Sequence, residues 1–467
     1  MRRVTSRRRF LQSSAAIAGG FWVAGGLRAQ ESRSPNEMIA IACVGVGGKG
    51  RSDSTDAENQ GRIVALCDID SKTLGNRSKS LPGVKTYTDY RRMFDEMGES
   101  IDAVTVSTTD HMHAPISLQA MRMGKHCFCQ KPLTRTVYEA RLMGQVAREM
   151  KVATQMGNQG TADSSLRRAA ALLRAGAIGP VKEVHIWTNR PIWPQGMTER
   201  PEQKSVPADL AWDLWLGAAP ARPYGDGYHP FKWRGWWDFG SGALGDMGCH
   251  LVNAPYMGLD LRSPIAVQAE TSGHNRDAFP AWSVVTWEFP ANDWRPGLKM
   301  IWYDGCATYS PRKAKKGDSK DAAAQEAPPT DVREYFQGPG KAPPPEFFEG
   351  RMPQGAWIAV GEKGKQMGTE VFAGGEEKDV QFPQSPGHFE EWIRAIRGGE
   401  PAMSNFPDYA SQLTETVLLG NLAVWMAPEP GLGQRVEWDA TNLAATNVSG
   451  LETLIKPEYS PGYTLDA

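Results

Sequence analysis

"IACVGVGGKG", residues 41–50, is the stretch that decides the fold. Its apolar residues up to Val44 resemble a strand, and Gly45, Gly47 and Gly50 follow in the pattern G-x-G-x-x-G before a helical stretch. Small residues let a backbone turn sharply and approach a pyrophosphate, and the next helix N-terminus offers free N–H groups. The spacing alone is a weak signal, but its place between a strand and a helix strengthens it. The stretch therefore predicts the dinucleotide-binding loop of a Rossmann domain.

A carboxylate at the end of the second strand indicates which dinucleotide is bound. The apolar run "RIVALCD" ends at Asp68, 18 residues beyond Gly50. A carboxylate at this place accepts hydrogen bonds from the adenosine ribose diol and would repel a 2′-phosphate. We therefore expect NAD as the cofactor, with NADP less favoured.

The same alternation of apolar runs and helical stretches continues to residue 158. "IDAVTVST" and "KHCFC" resemble buried strands, and "VATQMG" is counted as the sixth. This order predicts a doubly wound parallel sheet over residues 37–158.

Beyond residue 158 the strands have fewer helices between them. The runs "KEVHIWTN", "IAVQAETS", "AWSVVTWEF", "LKMIWYDG" and "AWIAVGEKG" predict a second α/β domain with a mostly antiparallel open sheet over residues 159–440. Residues 311–350 are rich in Pro, Lys, Ala and Gly and are predicted to form a surface insertion. Residues 441–467 are predicted to be a docked tail.

The first 29 residues have the pattern of a twin-arginine signal peptide. "SRRRFLQ", residues 6–12, is followed by a short apolar stretch rich in Gly and Ala. Leu27 is bulkier than a cleavage site prefers, so a retained membrane anchor stays an alternative. Six arginines and no acid lie in residues 1–29, so cleavage would change the formal net charge from -1 to -7. An acidic mature protein argues against nucleic acid as a partner, and the leader predicts export to the periplasm.

Two further stretches resemble a known family. "GKHCFCQKPLT", residues 124–134, and "GALGDMGCHLVN", residues 242–253, are similar to signatures of the glucose-fructose oxidoreductase, inositol dehydrogenase and MocA (Gfo/Idh/MocA) family. The resemblance extends over nearly the whole mature chain. It implies a Rossmann domain followed by an α/β domain whose open sheet often mediates oligomerisation, with the active site between the two.

The resemblance also implies the catalytic residues. The family's Glu-Lys-Pro falls on Gln130, Lys131 and Pro132, and its Asp-x-x-x-His falls on Asp246 and His250. The chemistry agrees, because oxidation of a hydroxyl needs a base near neutrality for the O–H proton, and Lys131 can hold the reacting oxygen. Asp246 and His250 lie one helical turn apart on the same face.

One departure from the family pattern and one added residue complete the predicted site. Gln130 is a neutral amide where the family has a carboxylate, which removes a negative charge beside Lys131. Gln130 and His113, which follows the fourth strand at the carboxyl edge of the sheet, are assigned to the cofactor pocket. No metal-type CxxC pair is present, and no metal is expected.

Substrate-binding residues are predicted in two aromatic-rich segments. Arg190 and Trp193, in "NRPIWPQG", combine a hydrogen-bonding fork with a flat apolar face, and Arg234 in "KWRGWW" is similar. Sugars offer both hydroxyl groups and apolar C–H faces to such side chains.

The sequence therefore predicts an NAD-dependent oxidoreductase acting on a sugar, a polyol or a glycoside. Twin-arginine export moves folded proteins, so the cofactor can be inserted before export and must then be tightly bound. A redox-neutral NAD-dependent glycoside hydrolase or lyase of the same fold, and a non-catalytic nucleotide-bearing binding protein, stay open as alternatives. A homo-oligomer formed through the C-terminal sheet is also expected from the resemblance.

Overall fold

A computed structural model describes residues 38–305 and 355–465 of the 467-residue chain. The predicted leader, residues 1–29, and the predicted insertion, residues 311–350, lie outside the described residues.

The first sheet is six-stranded and parallel, as predicted. Its order is β3-β2-β1-β4-β5-β6, so the chain starts in the middle and winds first to one edge and then to the other. The short third strand carries exposed polar residues and has no apolar run to mark it. The strands are β1 Ala40–Val44, β2 Arg62–Cys67, β3 Lys85–Tyr87, β4 Ala103–Val106, β5 His126–Cys129 and β6 Thr154–Met156.

Helices connect these parallel strands, and several begin at side chains that cap them. Asp70 accepts a hydrogen bond from the Thr73 main-chain N–H (2.9 Å), and Thr136 and Glu139 form a capping box. The helices of this half are α1 Lys49–Gln60, α2 Ser71–Ser78, α3 Tyr90–Met97, α4 Asp110–Arg122 and α5 Val137–Met150.

The second sheet has ten strands and is mostly antiparallel, as predicted. Its order is β13-β12-β11-β7-β10-β9-β8-β15-β16, and β14 also pairs with β8. Among the described pairs in this sheet, β7 with β10 is the parallel one. The strands are β7 Val181–Thr188, β8 Ala266–Ser272, β9 Ser283–Phe289, β10 Leu298–Asp304, β11 Gly355–Gly361, β12 Lys365–Met367, β13 Glu370–Phe372, β14 Pro430–Leu432, β15 Val436–Asp439 and β16 Ala444–Ala445.

Close helix packing fixes the part of the second half that carries the site. A Cβ at Gly248 would lie 2.7 Å from Cγ1 of Val417, and a Cβ at Gly420 would lie 2.4 Å from Cδ2 of Leu244, so the two helices that carry these glycines pack without room for larger residues. The helices here are α6 Ser164–Arg174, α7 Trp212–Leu216, α8 Gly242–Leu251, α9 Asn253–Leu259, α10 His388–Ile396, α11 Ser411–Trp425 and α12 Glu452–Ile455.

The C-terminal segment lies against both halves. The Tyr459 hydroxyl donates to Glu139 of α5 (2.8 Å), and the Ser460 hydroxyl donates to the carbonyl of Ala219 (2.8 Å). Within the described ranges, no helix is both long enough and apolar enough to span a bilayer.

Candidate active site

The glycine loop after β1 has the close approaches that a dinucleotide site needs. Gly45 has a φ of +78°, and a Cβ there would lie 2.5 Å from the carbonyl oxygen of Ser107 at the end of β4. A Cβ on Gly50 would lie 2.0 Å from the carbonyl oxygen of Gly45, and one on Gly47 would lie 2.9 Å from the Thr73 side chain. Close approach of backbone atoms therefore requires glycine at positions 45 and 50, whereas a side chain at position 47 would require the Thr73 side chain to shift.

The N-terminus of α1 is open to a ligand. Its cap residue, Gly48, has no side chain to satisfy the first N–H groups, and a Cβ there would meet nothing within 4 Å. Free N–H groups at a helix N-terminus beside open space suit the pyrophosphate of NAD. The loop therefore fits the predicted cofactor.

Asp68 is held at the end of β2 beside this loop. Its carboxylate accepts hydrogen bonds from the main-chain N–H of Val46 (2.8 Å) and of Asp70 (3.0 Å). Burial raises the pKa of Asp68, and these two donors oppose that rise. The side chain stays partly exposed, so it can also accept from a ribose diol, which is the predicted role.

Gln130, at the end of β5, turns its amide toward a second buried acid. Its Nε2 donates to Oδ2 of Asp53 on α1 (2.9 Å), and the Ser107 hydroxyl donates to the same oxygen (2.7 Å). Lys49 pairs with the other oxygen of Asp53. The side chains of Gln130 and Asp53 are both buried. Gln130 therefore links the end of β5 to the glycine-loop helix α1 through Asp53.

His113, on α4, braces the backbone next to Lys131. Its Nδ1 lies 2.8 Å from the carbonyl oxygen of Pro132, and its Nε2 lies 3.3 Å from that of Thr108. Burial lowers the pKa of His113 to about 4, so the ring is neutral and donates to one carbonyl. Both ring nitrogens thus face main-chain oxygens, and the ring is buried.

Lys131 reaches across from the Rossmann domain to α8. Its ammonium donates to Oδ1 of Asp246 (2.8 Å) and to the main-chain carbonyl of Asp246 (2.8 Å). An ammonium has three N–H donors, so these contacts leave one for another acceptor. The predicted lysine and aspartate are therefore in direct contact, although 115 positions separate them.

Two predicted arginines converge on the same carboxylate. Nε of Arg190 lies 4.0 Å from Oδ2 of Asp246, and Nε of Arg234 lies 3.4 Å from Oδ1. Burial would raise the pKa of Asp246, but Lys131 and Arg234 outweigh it and hold that pKa at about 2. Asp246 therefore stays ionised at the centre of three cations.

His250 follows Asp246 by one turn of α8 and is partly exposed. Burial and the nearby Lys131 charge lower the pKa of His250 to about 3, and Asp246 opposes this shift. The imidazole is therefore neutral at pH 7, and it is a weaker base here than the near-neutral base that the sequence predicts. No hydrogen bond from its ring is formed within the described part of the chain.

Two family models match the chain in the regions that form this site. The model described as "Oxidoreductase family, NAD-binding Rossmann fold" matches residues 39–158, and "Oxidoreductase family, C-terminal alpha/beta domain" matches residues 181–301. Together they cover just over half of the chain. The chain belongs to the Gfo/Idh/MocA oxidoreductase family. Its N-terminal domain is an NAD-binding Rossmann domain.

Named relatives of this Gfo/Idh/MocA protein act on sugars and polyols. The chain is 25% identical over 166 residues to levoglucosan dehydrogenase of Pseudarthrobacter phenanthrenivorans, covering 36% of this chain and 34% of the relative. It is 26% identical over 152 residues to inositol 2-dehydrogenase of Rubrobacter xylanophilus, covering 32% and 43%. It is 30% identical over 134 residues to glycosyl hydrolase family 109 protein 1 of Shewanella sp. MR-4, covering 26% and 29%. Each match spans less than half of the relative's length.

A solved structure shares the fold. The WlbA dehydrogenase from Bordetella pertussis, crystallised with NADH and UDP-GlcNAcA, superposes with a TM-score of 0.56 at 15% identity. The match covers 86% of this chain and 99% of that one. At this identity the likeness establishes the shared architecture of both domains.

The structure of this Gfo/Idh/MocA protein adds residues that the sequence did not single out. Asp110, at the start of α4, is buried and accepts from the Ser241 hydroxyl (2.7 Å). Burial raises the pKa of Asp110 to about 6, while Arg234, Ser241 and Lys131 act against the rise. Its place just after β4, at the carboxyl edge of the sheet, was the available signal. No sequence signal marked Asp53, because an acidic residue inside a helix usually faces solvent. In the described ranges no group of three His, Cys, Asp or Glu side chains is arranged to hold a metal ion.

Proposed function

We propose that this protein is an NAD-dependent oxidoreductase acting on a hydroxyl group of a sugar, a polyol or a glycoside. The observation that carries the proposal is the contact between Lys131 and Asp246, with a neutral His250 one turn away. These groups supply a cation to hold an alcohol oxygen, an anion to hold that cation, and a base for the proton.

Each residue has a distinct part in the proposed reaction. The remaining N–H donor of Lys131 binds the substrate oxygen, and its positive charge stabilises the developing alkoxide. His250 accepts the hydroxyl proton. Asp246 orients Lys131, and Arg190 and Arg234 donate hydrogen bonds to neighbouring hydroxyl groups. The glycine loop and Asp68 would hold NAD, which would supply the hydride acceptor for the carbon that carries the hydroxyl group.

We further propose that the cofactor is tightly bound. A segment of the C-terminal domain pairs with the chain immediately after Asp68. The Ser71 N–H donates to the carbonyl of Asp209 (2.8 Å), and the Ala211 N–H donates to that of Ile69 (2.9 Å). Opening the adenosine end of the site therefore requires these contacts to break, which favours slow release of the nucleotide.

Tight binding suits the proposed export through the twin-arginine route to the periplasm. "SRRRFLQ" supports that route, because it carries proteins that have already folded around a cofactor. Periplasmic protein would be dialysed, denatured and analysed for dinucleotide. A ratio near one per chain is expected, whereas a ratio well below one with activity restored by added NAD would refute tight retention.

A redox-neutral glycoside hydrolase is the second candidate, and the similarity to a protein named for glycosyl hydrolase family 109 favours it. In such a reaction a ring hydroxyl would be oxidised transiently, the aglycone would be eliminated, water would be added and the ketone would be reduced again. NAD held in the site would supply the hydride acceptor and then the returning hydride, so there would be no net redox change. Both candidates use Lys131, Asp246 and His250 in the same roles.

One assay separates these candidates and the non-catalytic alternative. The purified protein would be mixed with a panel of sugars, polyols and aryl glycosides while nicotinamide absorbance and products are followed. Net oxidation gives reduced cofactor and an oxidised sugar, and hydrolysis releases the aglycone without lasting reduction. Ligand binding with neither change would refute both reactions.

We also propose homo-oligomerisation through the C-terminal sheet, supported by the family resemblance. Light scattering after size-exclusion chromatography would measure the mass, and a monomer would refute the proposal.

A further inference from the structure

Two separate segments each contain an arginine that lies near Asp246 and an aromatic residue three positions from that arginine. One segment contributes Arg190 and, three residues later, Trp193, and the other contributes Phe231 and, three residues later, Arg234. Both arginines lie within 4.0 Å of the Asp246 carboxylate. The Trp193 and Phe231 rings meet each other beside the Arg234 guanidinium group.

The rings of Trp193 and Phe231, here called the aromatic corner, lie nearly perpendicular to each other, and the Phe231 ring is the exposed one of the two. Phe231 is 43% exposed and Trp193 is 4% exposed. Their centroids lie 6.0 Å apart at an interplanar angle of 83°, so the contact is edge to face. The Arg234 guanidinium carbon lies 5.4 Å from the Phe231 centroid and 5.7 Å from that of Trp193.

The buried ring of the corner is anchored to the helix that carries Asp246. Trp193 Nε1 donates to Oε1 of Gln195 (3.1 Å), and the same oxygen accepts from the N–H of Ala243 in the first turn of α8 (3.1 Å). Gln195 Nε2 donates to the carbonyl of Pro280 (2.8 Å). The aromatic corner is therefore held in fixed relation to the catalytic helix.

We propose that Phe231 is a specificity-determining residue whose ring stacks on the apolar C–H face of a cyclic sugar. The inference rests on the proposed function and narrows its substrate class to ring forms. A pyranose presents axial C–H groups on one face and hydroxyl groups at its edge, which matches an aromatic face beside two arginine forks. An open-chain polyol has the same hydroxyl groups but no fixed apolar face.

The variants are Phe231→Ala, which removes the ring, and Phe231→Tyr, which keeps it. Trp294→Ala is the matched control, because Trp294 is also 43% exposed and its ring packs under Arg174 (4.3 Å) in the loop between β9 and β10. Thermal unfolding of all three would confirm that they fold.

Binding is measured by saturation-transfer NMR and calorimetry on the NAD-loaded protein. The probes are common pyranoses, their methyl glycosides, 1,5-anhydro-D-glucitol and its open-chain counterpart D-glucitol. The parent is expected to bind at least one ring compound and to prefer the ring form. Phe231→Ala should weaken ring binding about tenfold and leave open-chain binding within twofold, with Phe231→Tyr and Trp294→Ala close to the parent.

The opposite results overturn the proposal. The proposal is wrong if the parent binds no ring compound, or if Phe231→Ala loses affinity for ring and open-chain compounds equally. It is also wrong if Trp294→Ala loses as much affinity for ring compounds as Phe231→Ala does. Because binding is read without turnover, normal ring selectivity in a protein that never reduces its cofactor would refute the proposed oxidation and leave the role of Phe231 supported.

Discussion

Replacing Gln130 by glutamate would restore the carboxylate that the family pattern has, yet the structure predicts that it destabilises this protein. Gln130 Nε2 lies 2.9 Å from Oδ2 of the buried Asp53. The amide packs closely against Gly157, where a Cβ would lie 2.4 Å from Nε2, so its room to turn away from Asp53 is small. Gln130→Glu therefore places two carboxylates about 3 Å apart without water between them.

The loss of stability in Gln130→Glu depends on whether the new glutamate is ionised or protonated in the folded protein. With an effective dielectric constant of about 20, two unit charges about 3 Å apart repel by about 5 to 6 kcal/mol. Alternatively, the new glutamate stays protonated, and holding a carboxyl of ordinary pKa about 4.3 neutral at pH 7 costs about 3.7 kcal/mol. The route that costs less free energy sets the loss of stability at about 3 to 4 kcal/mol, and the exposed Lys49 beside Asp53 reduces that loss somewhat.

The sign of the pH dependence is fixed. A glutamate whose pKa is raised in the folded protein binds more protons than in the unfolded chain, so the loss shrinks as pH falls toward its ordinary pKa. At pH 5 it should be about 1 kcal/mol.

The assay is denaturant unfolding of parent and variant at pH 7 and pH 5. The double variant Asp53→Asn/Gln130→Glu is the control, because it moves the negative charge without doubling it and should recover most of the stability. A single variant as stable as the parent at pH 7, or a loss of equal size at both pH values, would show that residue 130 does not face Asp53.

Three further predictions concern the proposed chemistry. His250→Ala and Lys131→Ala should each lower turnover about a hundredfold while nucleotide affinity stays nearly unchanged, and wild-type turnover in either would contradict its role. Refolded apoprotein should prefer NAD to NADP because of Asp68, and a tenfold preference for NADP in titrations, about 1.4 kcal/mol, would reverse that assignment. Burial would raise the pKa of Asp246, but Lys131 and Arg234 outweigh burial and hold that pKa at about 2. The ionised carboxylate therefore stabilises the folded protein at pH values above the ordinary pKa of an aspartate. From pH 5 to pH 3 the parent should therefore lose more unfolding free energy than Asp246→Asn, and parallel losses would contradict this.

The sequence by itself determined the two-sheet architecture and the cofactor loop. Strands such as β1 and β4 are buried on both faces and appear as apolar runs, and the close packing around Gly45 and Gly50 tolerates no side chain. These features are local, because strand and helix periodicity and tight turns depend on a few consecutive residues. A short polar strand such as β3 has no such pattern and was not recognised as an apolar run.

Only the tertiary structure decided how distant residues meet. Arg190 and Arg234 reach one carboxylate from separate segments, Asp53 pairs with Gln130 across 77 positions, and Phe231 stands exposed beside Trp193. Residue type and spacing named Lys131, Asp246 and His250 as candidates, but the contact of Lys131 with Asp246 depends on how two domains close on each other. The physical reason is that side-chain patterns encode local backbone conformation, whereas contacts between distant segments are set by the packing of the whole chain.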